Sequence, residues 1–198
     1  MGSHDSRFNE AIARLDALHQ ADPRDVIVDG EARPHEQVYA ERMSEWLEAV
    51  KPEAGDILRL AVRAQHLQRW RIPRDDYPRD RPGYLMWRRD LGRRQAEQAA
   101  RVMREVGYDD ADCERVASLI RKEGIKRDPD AQALEDTACL VFLQYYFVDF
   151  AEPHLEDEDK LLRILQKTWK KMSAHGQSLA HSISLPDRHQ SLMQKALA

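Results

Sequence analysis

The sequence predicts an all-α single domain of six to eight helices, on three observations. Nearly every periodic stretch repeats its apolar residues at helical spacing rather than by alternation. No internal repeat and no βαβ alternation is present. The length, 198 residues, fits one core, and 33% charged with 42% hydrophobic residues is an ordinary globular composition.

The elements follow in chain order. The opening "MGSH" reads as an expression scar and is set aside. "FNEAIARLDALHQ" places Phe8, Ile12, Leu15 and Leu18 or His19 on one helical face, and the Pro and Gly of "ADPRDVIVDGEARP" break it. "HEQVYAERMSEWLEAV" carries a stripe of Tyr39, Met43, Trp46, Leu47 and Val50. A helix from about Glu53 to Arg69 is apolar nearly all round, as a central core helix should be. Pro73, Pro78, Pro82 and Gly83 make a polar loop, and helix resumes by about Trp87 and runs to Gly107. "DDADCERVASLIRKEG" starts on Asp residues and stops at Gly124. A buried helix spans about Ala131 to Ala151, another about Asp157 to Ser173, and an amphipathic tail Asp187 to Leu197.

Charge and composition narrow the function classes. The longest mostly apolar run, Ala138 to Ala151, is too short for a membrane span and contains Gln144 and Asp149, so no membrane association is expected. Cys113 and Cys139 have neither metal-site nor disulfide spacing, and they suit a cytoplasmic protein. Residues 59–127 hold 18 Lys and Arg against 11 Asp and Glu, whereas the whole chain has a net charge of −4. A positive region on a negative body favours an anionic ligand or partner.

Two residues are candidates for acid–base chemistry. His66 lies four residues after Val62 and eight after Leu58, so on a continuous helix it would share their inward face. There it is either a hydrogen-bonded core histidine or a ligand-facing one. Asp136 shares a face with Leu140, Leu143 and Phe147. It either favours the helix N-terminus or faces a pocket, where its carboxylate has to meet a cation. Lys122 follows the apolar pair Leu119–Ile120, and Arg42 borders the stripe of the second helix. Arg69, Arg74 and Arg88, with Trp70 and Trp87, flank the proline loop. Guanidinium forks suit carboxylate, sulfate or phosphate and stack on indole rings.

The order of these segments resembles the HD-domain phosphohydrolases, all-α metal enzymes. "YAERMSEWL" resembles their first-histidine segment, "LAVRAQHLQRW" their His-Asp segment, "VASLIRKEG" a downstream histidine segment and "LEDTACLVFL" the final aspartate segment. The resemblance covers roughly residues 35–150 and implies an HD-like core followed by C-terminal helices at 157–198. The ligand set departs from the pattern: Tyr39 stands for the first histidine, Gln65 and His66 for the His-Asp pair, Lys122 for a later histidine, and only Asp136 keeps its type. Tyr, Gln and Lys make a poor metal site. More closely, "QHLQRWRIPR", "GYLMWRRDL", "EDTACLVFL" and "TWKKMSAHG" are similar to an uncharacterised bacterial and fungal family, some members of which carry a glutamyl-tRNA synthetase-like label. Nothing in the sequence supports aminoacylation.

The function expected is binding of a small anionic ligand, such as a nucleotide, phosphate or sulfate ester, in a degenerate HD-like pocket. His66 and Asp136 would be the acid–base pair, and Arg42, Arg69, Arg74, Trp87, Arg88 and Lys122 the ligand-binding set. No metal and no cofactor is expected. The alternatives are a divergent metal-dependent hydrolase using His66, Asp136 and His35 or Glu135, single-stranded RNA binding through the interleaved Arg and Trp residues, and a partner-binding protein without catalysis.

Overall fold

Helical periodicity becomes ten α-helices in the computed structural model, which describes residues 2–197, with side chains from residue 6. They are α1 (Gly2–Gln20), α2 (His35–Val50), α3 (Asp56–Arg63), α4 (Arg81–Glu105), α5 (Asp110–Ile120), α6 (Pro129–Val141), α7 (Phe147–Ala151), α8 (Glu158–Lys171), α9 (Ala174–Ala180) and α10 (Asp187–Leu197). The all-α class holds. The helix number exceeds six to eight because α7 and α9 are short pieces that periodicity merges with neighbours or passes over.

Helix starts are set by side-chain caps. Asp80, Asp109, Asp128, Asp157 and Ser173 each accept a hydrogen bond from a first-turn backbone N–H of α4, α5, α6, α8 and α9. Asp80 with Pro82 starts α4 some six residues before Trp87, earlier than apolar periodicity alone suggests.

The segment expected only to break α1 from α2 forms a hairpin. β1 (Asp25–Val28) pairs antiparallel with β2 (Glu31–Pro34), with Val28 opposite Glu31. Asp29 and Gly30 both take positive φ, 52° and 85°, as a two-residue Asp-Gly turn requires.

Two compact units make up the chain: residues 1–45 with 53–124, and residues 46–52 with 125–198. In the first unit α3 is the core element. Leu58, Leu60, Ala61 and Val62, continued by Ala64 and Leu67, are at most 1% exposed. α3 packs on α1 and α5, and α4 packs on α1 and α5. In the second unit α6 is buried almost all round and packs on α8 and α9, with α10 against α8. A π-helical turn, Phe142–Tyr146, joins α6 to α7.

The expected helix to Arg69 ends at Arg63. Its side chain is drawn to Asp16 (2.7 and 2.8 Å), to Ser44 Oγ and to the Ala40 carbonyl. Beyond it the backbone hydrogen bonds shorten to i→i+3, from Gln65 to Val62, Leu67 to Ala64 and Arg69 to His66. Gln68 takes a left-handed φ of 49° before a 3-10 turn, Arg69–Arg71. His66 is therefore on a turn and not in register with Leu58 and Val62.

The loop before α4 is seated by Gly83, where an added Cβ would run into the Pro78 backbone carbonyl. Gly83→Ala is expected to displace that loop and to lower stability by about 1–3 kcal/mol, the usual cost of overpacking against backbone. Urea unfolding checks this; an unchanged midpoint would show that the loop yields freely.

Candidate functional site

The first unit gathers ionisable groups at the N-terminus of α2. Asp22, which precedes the hairpin, has a fully buried side chain. It accepts from Arg24 N, Nε and Nη2, each at 3.0 Å, and from the backbone N–H of Glu36 at 3.1 Å. The Arg24 guanidinium also donates to Glu36 Oε1 at 2.9 Å. Burial alone would raise the Asp22 carboxyl, but the Arg24 bonds outweigh it and hold it below the ordinary range.

Glu36 itself has no exposure to water. Its Oε2 has no hydrogen-bond partner and lies 3.8 Å from His66 Nδ1. The His66 ring, 17% exposed, stacks on Tyr39 with centroids 3.9 Å apart and planes 8° from parallel. Tyr39 Oη donates to Gln65 Oε1 at 2.6 Å. On the far side of the ring, Arg69 Nη1 donates to His66 Nε2 at 3.0 Å. Arginine offers no acceptor, so Nε2 carries the lone pair and the ring proton sits on Nδ1, toward Glu36.

Arg69 lies 4.8 Å over the ring of Trp87, whose indole N–H bonds the Ile72 carbonyl at 2.9 Å. Arg74 is 6.0 Å from the rings of both Trp87 and Tyr84 and donates to the Tyr77 carbonyl. Lys122, just past α5, has a left-handed φ of 60°.

Electrostatics sets the state of the ring. Burial holds His66 well below the usual histidine range, and the next four influences, Arg69, Arg88, Lys122 and His35, all act in the same direction. Arg69 is lowered too, by burial and then by Arg88. Three basic side chains from three chain segments, Arg69, Arg88 and Lys122, thus bear on one neutral imidazole.

The predicted site residues separate into two sets. His66, Arg69, Arg74, Trp87, Arg88 and Lys122 belong to the first unit, and Arg42 lies half-buried there, one turn along α2 from Tyr39. Asp136 belongs to the second unit, and its carboxylate is engaged within that unit. It accepts from Gln132 Nε2 and the Ser173 backbone N–H, both at 2.8 Å, and from the Ser173 hydroxyl, which makes it a clamp on the first turn of α9. Gly176 leaves room for that carboxylate. The carboxylate that faces His66 is Glu36, which periodicity and motif spacing do not single out. Its signal in the sequence is faint: an acid at the start of α2 looks like an ordinary partner for the helix dipole.

Asp22, His35 and Glu36 bring ligand atoms within 4.8 Å of one another, close enough for a metal ion. Arg24 already bonds both carboxylates, so a cation there would compete with its guanidinium. The donor set therefore fits an internal ion-pair network better than a metal centre.

This site defines an all-α protein with a buried carboxylate–imidazole pair among arginines. Over residues 9–193 the chain matches the family described as a domain of unknown function (DUF4202), and it belongs to that family. Among curated proteins and among solved structures no match was found. No helix among the described residues is long and apolar enough to cross a membrane.

Buried histidines make the first unit sensitive to acid. His19, whose Nε2 lies 2.9 Å from the Arg63 carbonyl, is also lowered, first by burial. With folded pKa values below the unfolded 6.5, both groups are neutral in either state above that pH, and stability is full there. Below it the unfolded chain binds protons that the folded one does not, and stability falls as pH falls. Each group contributes up to about 1.4 kcal/mol per pH unit in that window. Denaturant unfolding between pH 7 and 5 is expected to show this loss, with a smaller slope in His66→Gln; an equal slope in the variant would show that His66 charges freely in the native state.

Proposed function

We propose that the first unit binds a small anionic ligand, a phosphate, sulfate ester or nucleotide, through Arg69, Arg88 and Lys122. Arg42 and Arg74 serve its rim, and Trp87 is the surface on which Arg69 is stacked. The observation that carries this reading is the Arg69 guanidinium set 3.0 Å from His66 Nε2, on a ring that burial first and then Arg69, Arg88 and Lys122 hold neutral. An entering oxyanion offsets that positive field, and guanidinium and ammonium groups can hold an oxyanion without a metal. His66 is the acid–base group, because its neutral Nε2 lone pair is available to a ligand that takes over the Arg69 N–H. The carboxylate that orients it is Glu36, in place of the Asp136 expected from the sequence.

The HD-like reading of the fold stays part of the proposal. It is supported by the contacts of Tyr39 with Gln65 and with His66, which join the segments that the likeness assigns to the first and second ligand positions. Aminoacylation is no part of it. Cys113 and Cys139, two buried thiols, fit the cytoplasmic location proposed. A divergent metal hydrolase is the second reading; the one spacing that could favour it, that of Asp22, His35 and Glu36, is already taken up by Arg24, which bonds both carboxylates. Metal analysis of protein purified without a chelating column separates the two.

Thermal unfolding with phosphate, sulfate and nucleotides tests the main reading. A ligand at about ten times its Kd adds roughly 1.4 kcal/mol and raises Tm by about 3–6 °C. The rise is expected in the wild type and lost in folded Arg69→Ala and Lys122→Ala. A Tm that no anion moves, or a rise that survives both substitutions, overturns it.

A further inference from the structure

Glu36 is buried on every side, and only one of its oxygens is bonded. Arg24 holds Oε1, while Oε2 faces His66 Nδ1 at 3.8 Å without a hydrogen bond. A buried carboxylate oxygen without a donor is costly. At the opposite end of the ring, Nε2 accepts from Arg69. The imidazole thus lies between a carboxylate and a guanidinium, and it is neutral.

An oxyanion changes that balance. When it takes the Arg69 N–H, Nε2 loses its donor and finds a negative group in its place. A proton added at Nε2 then bonds the anion, and the imidazolium so formed faces Glu36 through Nδ1–H. We propose that an oxyanion and a proton enter this site together, the proton going to His66 Nε2 and Glu36 stabilising the charged ring. This rests on the anion-binding reading above and adds its stoichiometry. One proton leaves solvent for each anion bound, and no bond between heavy atoms forms or breaks.

The charges around the ring agree with this. From α2 come His35, Glu36 and the stacked phenol of Tyr39. The turn after α3 supplies Arg69, α4 supplies Arg88 and the end of α5 supplies Lys122. Arg24, shared with Asp22, lies behind Glu36. Without the anion, burial first and then these cations keep the ring neutral. An anion at Nε2 offsets the cations and gives the ring proton a partner there, while Glu36 faces Nδ1. Affinity therefore rises as pH falls.

Titration calorimetry with sulfate tests this, because sulfate does not titrate near neutral pH and any proton taken up goes to the protein. Repeating the titration in buffers of different ionisation enthalpy counts the protons. The wild type is expected to take up close to one proton per sulfate near neutral pH, with Kd weakening about tenfold per pH unit from roughly pH 6 to 8. His66→Gln is expected to bind sulfate without uptake, Glu36→Gln to bind with reduced uptake, and His35→Gln to retain it. Sulfate bound by the wild type with no uptake overturns the coupling and leaves the anion site standing. Uptake unchanged in His66→Gln overturns the assignment to that ring. Absence of saturable sulfate binding overturns the coupling, and a Tm that no anion moves overturns the anion reading as well. Should a variant fail to fold, the pH profile of the wild type alone still tests the coupling, and a Kd that does not change with pH overturns it.

Discussion

A carboxylate sealed from water has to be answered by its surroundings, and in the first unit Glu36, beside the equally buried Asp22, is such a carboxylate. Much of the local structure is its answer. The hairpin Asp25–Pro34 returns the chain so that Arg24, just before it, meets a residue twelve positions later. Asp22 then fixes both ends of the arrangement, through the Arg24 guanidinium and the backbone N–H of Glu36. Breaking such a buried network by removing one member leaves charge uncompensated, which costs far more than the network contributes as a whole. The hairpin is small, yet it is what lets α2 begin on a buried acid.

The same constraint reaches the turn after α3. A helix continued through residue 69 would carry its side chains around at about 100° per residue, and the observed ring position comes instead from i→i+3 turns and a left-handed Gln68. Those turns bring His66 between Tyr39 and Arg69, and Gln65 to the Tyr39 hydroxyl. The second unit uses its buried acid differently. Asp136 has three neutral donors around it and holds the start of α9, so its burial is resolved by hydrogen bonds rather than by a cation.

How much of this the sequence disclosed depends on what kind of signal each feature leaves. The stripe Tyr39, Met43, Leu47, Val50 is a periodic signal, and α2 follows it from His35 to Val50. The tail helix Asp187–Leu197 was legible to the residue. Hairpin and early α4 start were present as local chemistry, Asp29-Gly30 and Asp80 with Pro82, but each is outweighed by the surrounding polarity when only periodicity is read. The end of α3 left no such mark, since Ala64 and Leu67 continue the apolar pattern beyond it. His66 stood out in the sequence, but the face shared with Leu58 and Val62 that periodicity assigns it is lost in the turns after Arg63. Its partner was not legible, because a carboxylate twelve residues from the arginine that pairs with it is tied to that arginine only by the hairpin.

Lys122 shows what the fold concedes at this place. A side chain with a Cβ prefers negative φ, and a left-handed lysine costs about a kilocalorie or more that glycine would avoid. Gly124, two residues on, takes the same hand without that cost. Local backbone ease therefore pulls position 122 toward glycine while the proposed anion pulls it toward an ammonium. Lineages that keep the ligand should hold a long cation there against that conformational drift, and lineages that lose the ligand should be released from it.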